Sequence, residues 1–539
     1  MIEPFINGAL YSVLALLAGL IVMELVPISR GLKQKVPAKI VLGVIILVPV
    51  VYSGYVLQLG VTYANFFSIS FFEGVLTALN DHVLGKSFLI IGSITIVMVL
   101  LQLFLKSKFP LFTALIQLVL LLGHIVAVSL SSHSASLTDM QGVLSNAIHV
   151  TAMAFWTGPL FVVSVYGKQL VNEKTFHQWF SAVAVFCLLL LGTSGIVMMG
   201  EIAPEYVHSW MLTYGQLLLI KNILIAPLLV FGFRHLIHLS GKGKALTVAE
   251  RQRSFRTESI FVLLVFIVTA WLTETEPPHN VLRTLQFEPM NPIVPFFLSE
   301  PLIENQLITF APSIGAILLL VASGLLLLFA VFAAWWFRRT WVTAAASASF
   351  VVVFYLALMS GSAPGEIPVN LTVHDSVEEA IQVRYEEDEL ELLATVELDE
   401  DSIGVIYAVN ERHLVAERLL VEADGYRKYL DAEVEMENAF LTGGEQFMDT
   451  FMFLENDWVD QEKISTYVSV GVVPESIERV ELVFSEETID VPVTNGVFLN
   501  VLSVNQTFAE EHQYRLYDQN ENLVQEIDKR QFVHEGHAH

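Results

Sequence analysis

Read from Met1, hydrophobic residues fall in long runs with few charges inside them, and the pattern holds to about Gly361. A bilayer core takes about 20 apolar residues per helix. Ten stretches meet or approach that length: 5–29, 38–60, 86–105, 110–131, 144–166, 178–200, 213–236, 257–274, 310–337 and 341–361. After Gly361 the period shortens to two. Val369, Leu371 and Val373 alternate with polar residues, as do Val480, Leu482 and Phe484. Val493-Thr494-Asn495-Gly496-Val497 places an Asn-Gly hairpin turn between apolar runs. These segments predict strands of a sandwich-like domain, with residues 411–462 ambiguous. The expected fold is an all-α polytopic membrane bundle over residues 1–361 and a mainly-β domain over residues 362–539.

Charge sharpens the division. Residues 1–361 carry 19 Lys and Arg against 15 Asp and Glu, a net of +4, whereas residues 362–539 carry 10 against 40, a net of −30. Two solvents are implied, lipid around the first part and water around the second. The acidity argues against nucleic acid as a partner, because phosphate binding needs clustered Lys and Arg. The single cysteine, Cys187, excludes an intramolecular disulfide and any Cys-pair metal motif.

Lys and Arg gather in alternate loops: Arg30, Lys33, Lys35 and Lys39, then Lys106 and Lys108, then Lys168 and Lys174. The series continues with Lys242, Lys244, Arg251 and Arg253, and ends with Arg338 and Arg339. The intervening loops hold Glu73, Asp81, Asp139, Glu205, Glu276, Glu288 and Glu304. Basic loops stay in the cytoplasm, so the N-terminus and the acidic C-terminal domain are both expected outside. The opening Met1-Ile2-Glu3-Pro4 has no basic residue before its apolar run, so this segment reads as a retained first helix. The phenylalanines of 64–83 suit a helix lying in the headgroup region, and the proline-rich stretch 275–309 suits an irregular outer loop.

Polar side chains inside spans are functional candidates. His177, His235 and His238 fall at the cytoplasmic edge and read as interfacial anchors, whereas His82, His124, His133, His149, His208 and His279 fall in the outer half or outer loops. His133 and His149 flank a short connection between two spans, and Met153 lies one turn beyond His149. Imidazole with thioether suits copper, and Mg²⁺ or Ca²⁺ would want oxygen. A mononuclear copper site is therefore expected from His133 and His149, with Met153, Met199 or His124 as further ligands. At the C-terminus, His534, His537 and His539 form a possible accessory metal tail.

The order of these residues resembles a known family. Ser132-His133-Ser134-Ala135, then a loop, then Ile148-His149-Val150-Thr151-Ala152-Met153-Ala154-Phe155-Trp156-Thr157-Gly158 resembles the signature of the copper resistance protein D (CopD) family. Thr193-Ser194-Gly195 and Thr213-Tyr214-Gly215-Gln216-Leu217-Leu218-Leu219-Ile220-Lys221 resemble its later motifs, over roughly residues 110–280. Ser132 and Pro159 depart from it, each standing where the family has Gly. The resemblance implies a bacterial plasma-membrane protein that takes up copper, with His133, His149 and Trp156 as marked positions. Its pattern implies an ion pair or water-lined path for Lys221, for which Glu24 and Glu258 are the candidate partners by position, and Trp156 reads as a structural residue, in packing or an interface belt, or as a gate. An extracellular copper chaperone is a conceivable donor.

Two other readings stay open: a b-type haem protein using His124 and His149, and an extracellular copper-binding or sensing protein that moves nothing. Residues 362–539 show no phosphate loop, Ser/His/Asp order or nucleophile elbow, so no enzyme is expected. No loop carries an ATP-binding motif, which argues against an ATP-driven pump.

Overall fold

The computed structural model describes residues 3–26, 36–67, 69–167, 174–239, 246–275, 277–302, 306–365, 372–385, 388–399, 401–410, 412–436, 447–456, 463–474, 476–484, 487–494, 496–504, 508, 511–530 and 533–534. They form two compact units, the first of residues 1–302 and 307–365, the second of residues 303–306 and 366–539.

The first unit is helical. Ten helices among the described residues are long and apolar enough to cross a membrane, and each coincides with an expected span. The helices are α1 Glu3–Leu25, α2 Ala38–Phe66, the short α3 Phe71–Asp81, α4 Val83–Leu100, α5 Pro110–Ser129, α6 His133–Tyr166 and α7 Lys174–Ile202. They continue with α8 Thr213–Ile223, α9 Ile225–Leu239, α10 Val248–Leu272, the short α11 Val281–Phe287, α12 Ile314–Trp336 and α13 Thr340–Met359. A π turn, Leu101–Leu105, prolongs α4. Helices α8 and α9 together make one span, broken at Leu224. Pro227 lies four residues after Ile223 and has no amide to donate to that carbonyl, which weakens the ladder at the break.

Local chemistry fixes the helix ends. Thr247 and Glu250 form a reciprocal capping box at α10, and Ser70 and Glu73 form another at α3. Helix α3 buries Gly74 and Ala78 and leaves Phe71, Phe72 and Leu76 exposed. The stretch 275–309 is largely irregular, as expected. It holds α11 and ends in β1 Ile308–Phe310, which pairs antiparallel with β2 Ser362–Pro364.

Helix α1 is the axis of the bundle, with Leu10, Leu14, Ala15, Leu17 and Ala18 buried against α2, α5, α6 and α10. It meets α6 backbone to backbone. A Cβ at Gly158 would lie 2.2 Å from the Ala15 carbonyl oxygen and 2.5 Å from the Gly19 nitrogen. Only glycine admits this approach, the small-residue contact by which membrane helices gain dispersion energy. Trp156 is buried in the same core and is no interface-belt residue.

The second unit is mainly β, preceded by the short α14 Val377–Gln382. One sheet has the order β3-β4-β5-β6, from Leu390–Asp399, Ser402–Val409, His413–Glu422 and Gly425–Met436. The other strands are β7 Phe447–Asn456, β8 Lys463–Val472, β9 Ile477–Val483, β10 Thr488–Thr494, β11 Val497–Val504, β12 His512–Asp518, β13 Leu523–Lys529 and β14 Val533–His534. Their order is β13-β12-β9-β10-β11-β8-β7-β14. The expected hairpin is β10–β11, closed by Thr494 opposite Val497, with Gly496 at φ +73°. The ambiguous stretch resolves into β5, β6 and β7 wherever it is described. Val369 and Leu371 lie outside the described residues, and Val373 precedes an isolated bridge between His374 and Tyr426.

Each sheet has its own apolar cluster, one around Tyr467, Phe484, Phe498 and Tyr514, the other around Ile381, Tyr407, Val415 and Leu419. The second surrounds a buried ion pair. Lys428 Nζ lies 3.2 Å from Glu417 Oε2, which also accepts a 3.1 Å hydrogen bond from the Tyr407 hydroxyl. Burial raises the Glu417 carboxyl and lowers the Lys428 ammonium from their ordinary values, and their mutual attraction opposes both shifts.

Candidate functional site

Ser132 ends the turn after α5 and caps α6, its hydroxyl accepting from the Ala135 amide. The polar segment expected as a loop is therefore the first two turns of a helix. This overturns the expected copper site. His133 and His149 lie on one continuous helix, sixteen residues apart, which at 1.5 Å per residue separates them by about 24 Å. They cannot share one ion in this conformation.

His149 has other company. Its Nδ1 lies 3.0 Å from the Ser194 hydroxyl of α7, and its ring passes over Gly195. The Ser194 hydroxyl donates to the Leu190 carbonyl at 2.6 Å, so its only proton is already used. Ser194 must then accept from His149, which fixes the proton on Nδ1 and leaves the Nε2 lone pair available. Met153 sits one turn along the same helix, and the Thr157 hydroxyl bonds the Met153 carbonyl at 2.8 Å.

His124 of α5 is fully buried and turns the other way, toward α4. Its Nε2 lies 3.2 Å from the Ile91 carbonyl and 3.1 Å from the Thr95 hydroxyl. A carbonyl only accepts, so Nε2 carries the proton and Nδ1 is left as a buried lone pair without a partner. Because His124 engages α4 and His149 engages α7, the rings do not form the facing pair expected for haem.

The remaining candidates disperse. Met199 packs in an apolar cluster with Ile202, Ala203, Tyr214, Leu218 and Leu272. Among the described residues no carboxylate pairs with Lys221: Glu24 pairs with Lys106, and Glu258 faces His235. His534 enters β14, paired in parallel with Met452 of β7, while His537 and His539 lie outside the described residues. Among the described residues no three of His, Cys, Asp and Glu converge as metal ligands.

Sequence reasoning missed the opposite end of the bundle. His177, His235 and His238 are buried, not interfacial, and line a cavity with Arg234, Arg251, Leu246 and Phe255. Arg234 donates to the carbonyls of Ala334, Phe337 and Arg338 at the end of α12, and His238 Nε2 meets the Ala334 carbonyl at 2.9 Å. The available signal was His235 and His238 spaced three apart on one helical face, with an acidic residue, Glu258, inside the next span.

No curated protein and no solved structure matches the chain. Residues 174–272, which run from the start of α7 to the end of α10, match the family model for copper resistance protein D. The match takes in Ser194, Lys221, His235 and Glu258, and is narrower than the motif resemblance, since His133, His149 and Met153 precede it. By its ten apolar helices the chain is a multi-pass membrane protein, and its segment 174–272 is similar to the copper resistance protein D family.

Proposed function

We propose that the helical unit takes up copper through the membrane, inward toward the face that bears the basic loops, with His149 as a ligand in its path. The observation that carries this reading is the clamped imidazole. Ser194, from the family-matched segment, holds Nδ1–H and leaves the Nε2 lone pair to a metal. Metal-binding histidines are oriented this way, through the nitrogen that does not ligate. Met153 adds a thioether on the same face, and soft sulfur with imidazole suits copper. His124, clamped through its other nitrogen, is a second single-ligand station. The role is transport and not catalysis, and the acidic C-terminal unit lies outside.

The test is copper uptake into sealed vesicles of known sidedness, for wild type, His149→Ala and Met153→Leu. Uptake should be lost in His149→Ala with folding intact, and weakened in Met153→Leu. Wild-type uptake by folded His149→Ala would remove His149 from the path. Binding without uptake in the wild type would favour the sensing role.

A further inference from the structure

The cavity at the end opposite the chain start holds an unusual charge arrangement. His235 is stacked on Phe255, with ring centroids 4.1 Å apart. Its Nε2 lies 3.0 Å from the Ser254 hydroxyl. Its Nδ1 lies 3.3 Å from Glu258 Oε2, within ion-pair reach but off hydrogen-bond geometry, so that oxygen has no hydrogen-bond partner. Both side chains are buried, at 8% and 2% exposure. The groups facing them come from three helices: His177 of α7, Arg234 and His238 of α9, and Arg251 of α10. Among the described residues the cavity lining is therefore basic; Glu258 lies against its His235, and Glu250 of α10 acts on its Arg234.

The pair has two states. With one proton shared between imidazole and carboxyl it is neutral overall, whether the proton sits on nitrogen or on oxygen. With the proton gone it carries one negative charge in a buried site, beside Arg234 and Arg251. The pair attracts a cation entering this basic cavity only in the second state. Two arginines repel it, and a protonated pair offers nothing to offset them.

We propose that His235 and Glu258 form a proton-binding site at the basic end of the path, whose proton must leave before a cation can pass. One proton is released into the cavity for each cation admitted, and it returns when the cation has gone. The exchange rests on the transport reading above, whereas the proton site does not.

The experiment therefore has two arms. In proteoliposomes supplied with copper, the pH on the side of the basic loops is varied from about 5 to about 8, across the range where imidazole and perturbed carboxyls titrate. Wild-type uptake should fall about tenfold per pH unit on the acid limb, as one proton requires. Glu258→Gln should abolish the pH dependence. Glu258→Asp should restore it, and His235→Gln should shift it. A wild-type pH profile in Glu258→Gln overturns the proposal. The second arm is infrared difference spectroscopy of the same proteins after a pH jump, with no copper present. A carboxyl band present in wild type and lost in Glu258→Gln supports the site, and its absence from wild type overturns it. Wild-type vesicles that take up no copper at any pH defeat the transport reading and the exchange, and the infrared arm then decides the proton site alone.

Discussion

Gly158→Ala tests the architecture at its tightest point. The added Cβ would sit 2.2 Å from the Ala15 carbonyl oxygen, against 3.4 Å for an ordinary contact, a shortfall of about 1.2 Å. The obstructing atoms are backbone of α1, so no side chain can swing away. The helices must separate by roughly 1 Å, and a gap of that size forfeits a quarter to a half of each dispersion well across the interface. Overpacking costs about 1–3 kcal/mol, and a rigid obstacle puts this case near 3 kcal/mol. Gly192→Ala on α7 is the control, because its Cβ meets nothing within 4 Å. Thermal unfolding of the two variants in the same detergent, followed by circular dichroism, compares them directly. Gly158→Ala should melt well below wild type and Gly192→Ala at or slightly above it. Equal midpoints would refute the backbone contact between α1 and α6.

In the second unit, Lys428→Met leaves the Glu417 carboxylate buried with only the Tyr407 hydroxyl, and breaking a buried pair in this way costs about 3–5 kcal/mol. Losing the ammonium raises the folded carboxyl further above its ordinary 4.5, so the folded state holds its proton longer than the unfolded chain. The variant's deficit should therefore be smallest while both folded carboxyls hold their protons and grow as pH rises above the wild-type folded value. Hydrogen exchange of the β5 and β6 amides in variant and wild type at matched acidic and neutral pH measures it, and a pH-independent deficit would contradict the reasoning. Protease added to intact cells should remove the acidic unit, and complete protection would reverse the proposed orientation.

The spans were legible because lipid imposes one rule, about 20 apolar residues per crossing, and all ten obey it. Residues 411–462 were not, because the consecutive residues Leu414 to Leu419 of β5 are all buried. Covered on both faces, they show no clean alternation of apolar and polar positions. The site failed at a single boundary. His133 to Met140 reads as a polar loop, yet Ser132 caps a helix there, and two histidines expected to face each other became two stations on one rod. The clamped state of His149 was out of reach for another reason. It depends on which carbonyl Ser194 bonds, a fact of three-dimensional geometry. The cluster of His177, His235 and His238 was hidden by its neighbours, since histidines beside Lys and Arg resemble ordinary interface residues.

The bonds of Arg234 and His238 to the end of α12 have a mechanical consequence. Through them α9 grips the last carbonyls of a helix about a hundred residues further along the chain. Each Arg234 bond, made by a charged donor, is worth about 1.5–3 kcal/mol, which ties α9 to the end of α12. Bending is directed instead to Leu224, where the ladder between α8 and α9 is already interrupted. A rotation about that fulcrum would carry His235 and the whole α9–α12 arm together, while α8 stays with the rest of the bundle.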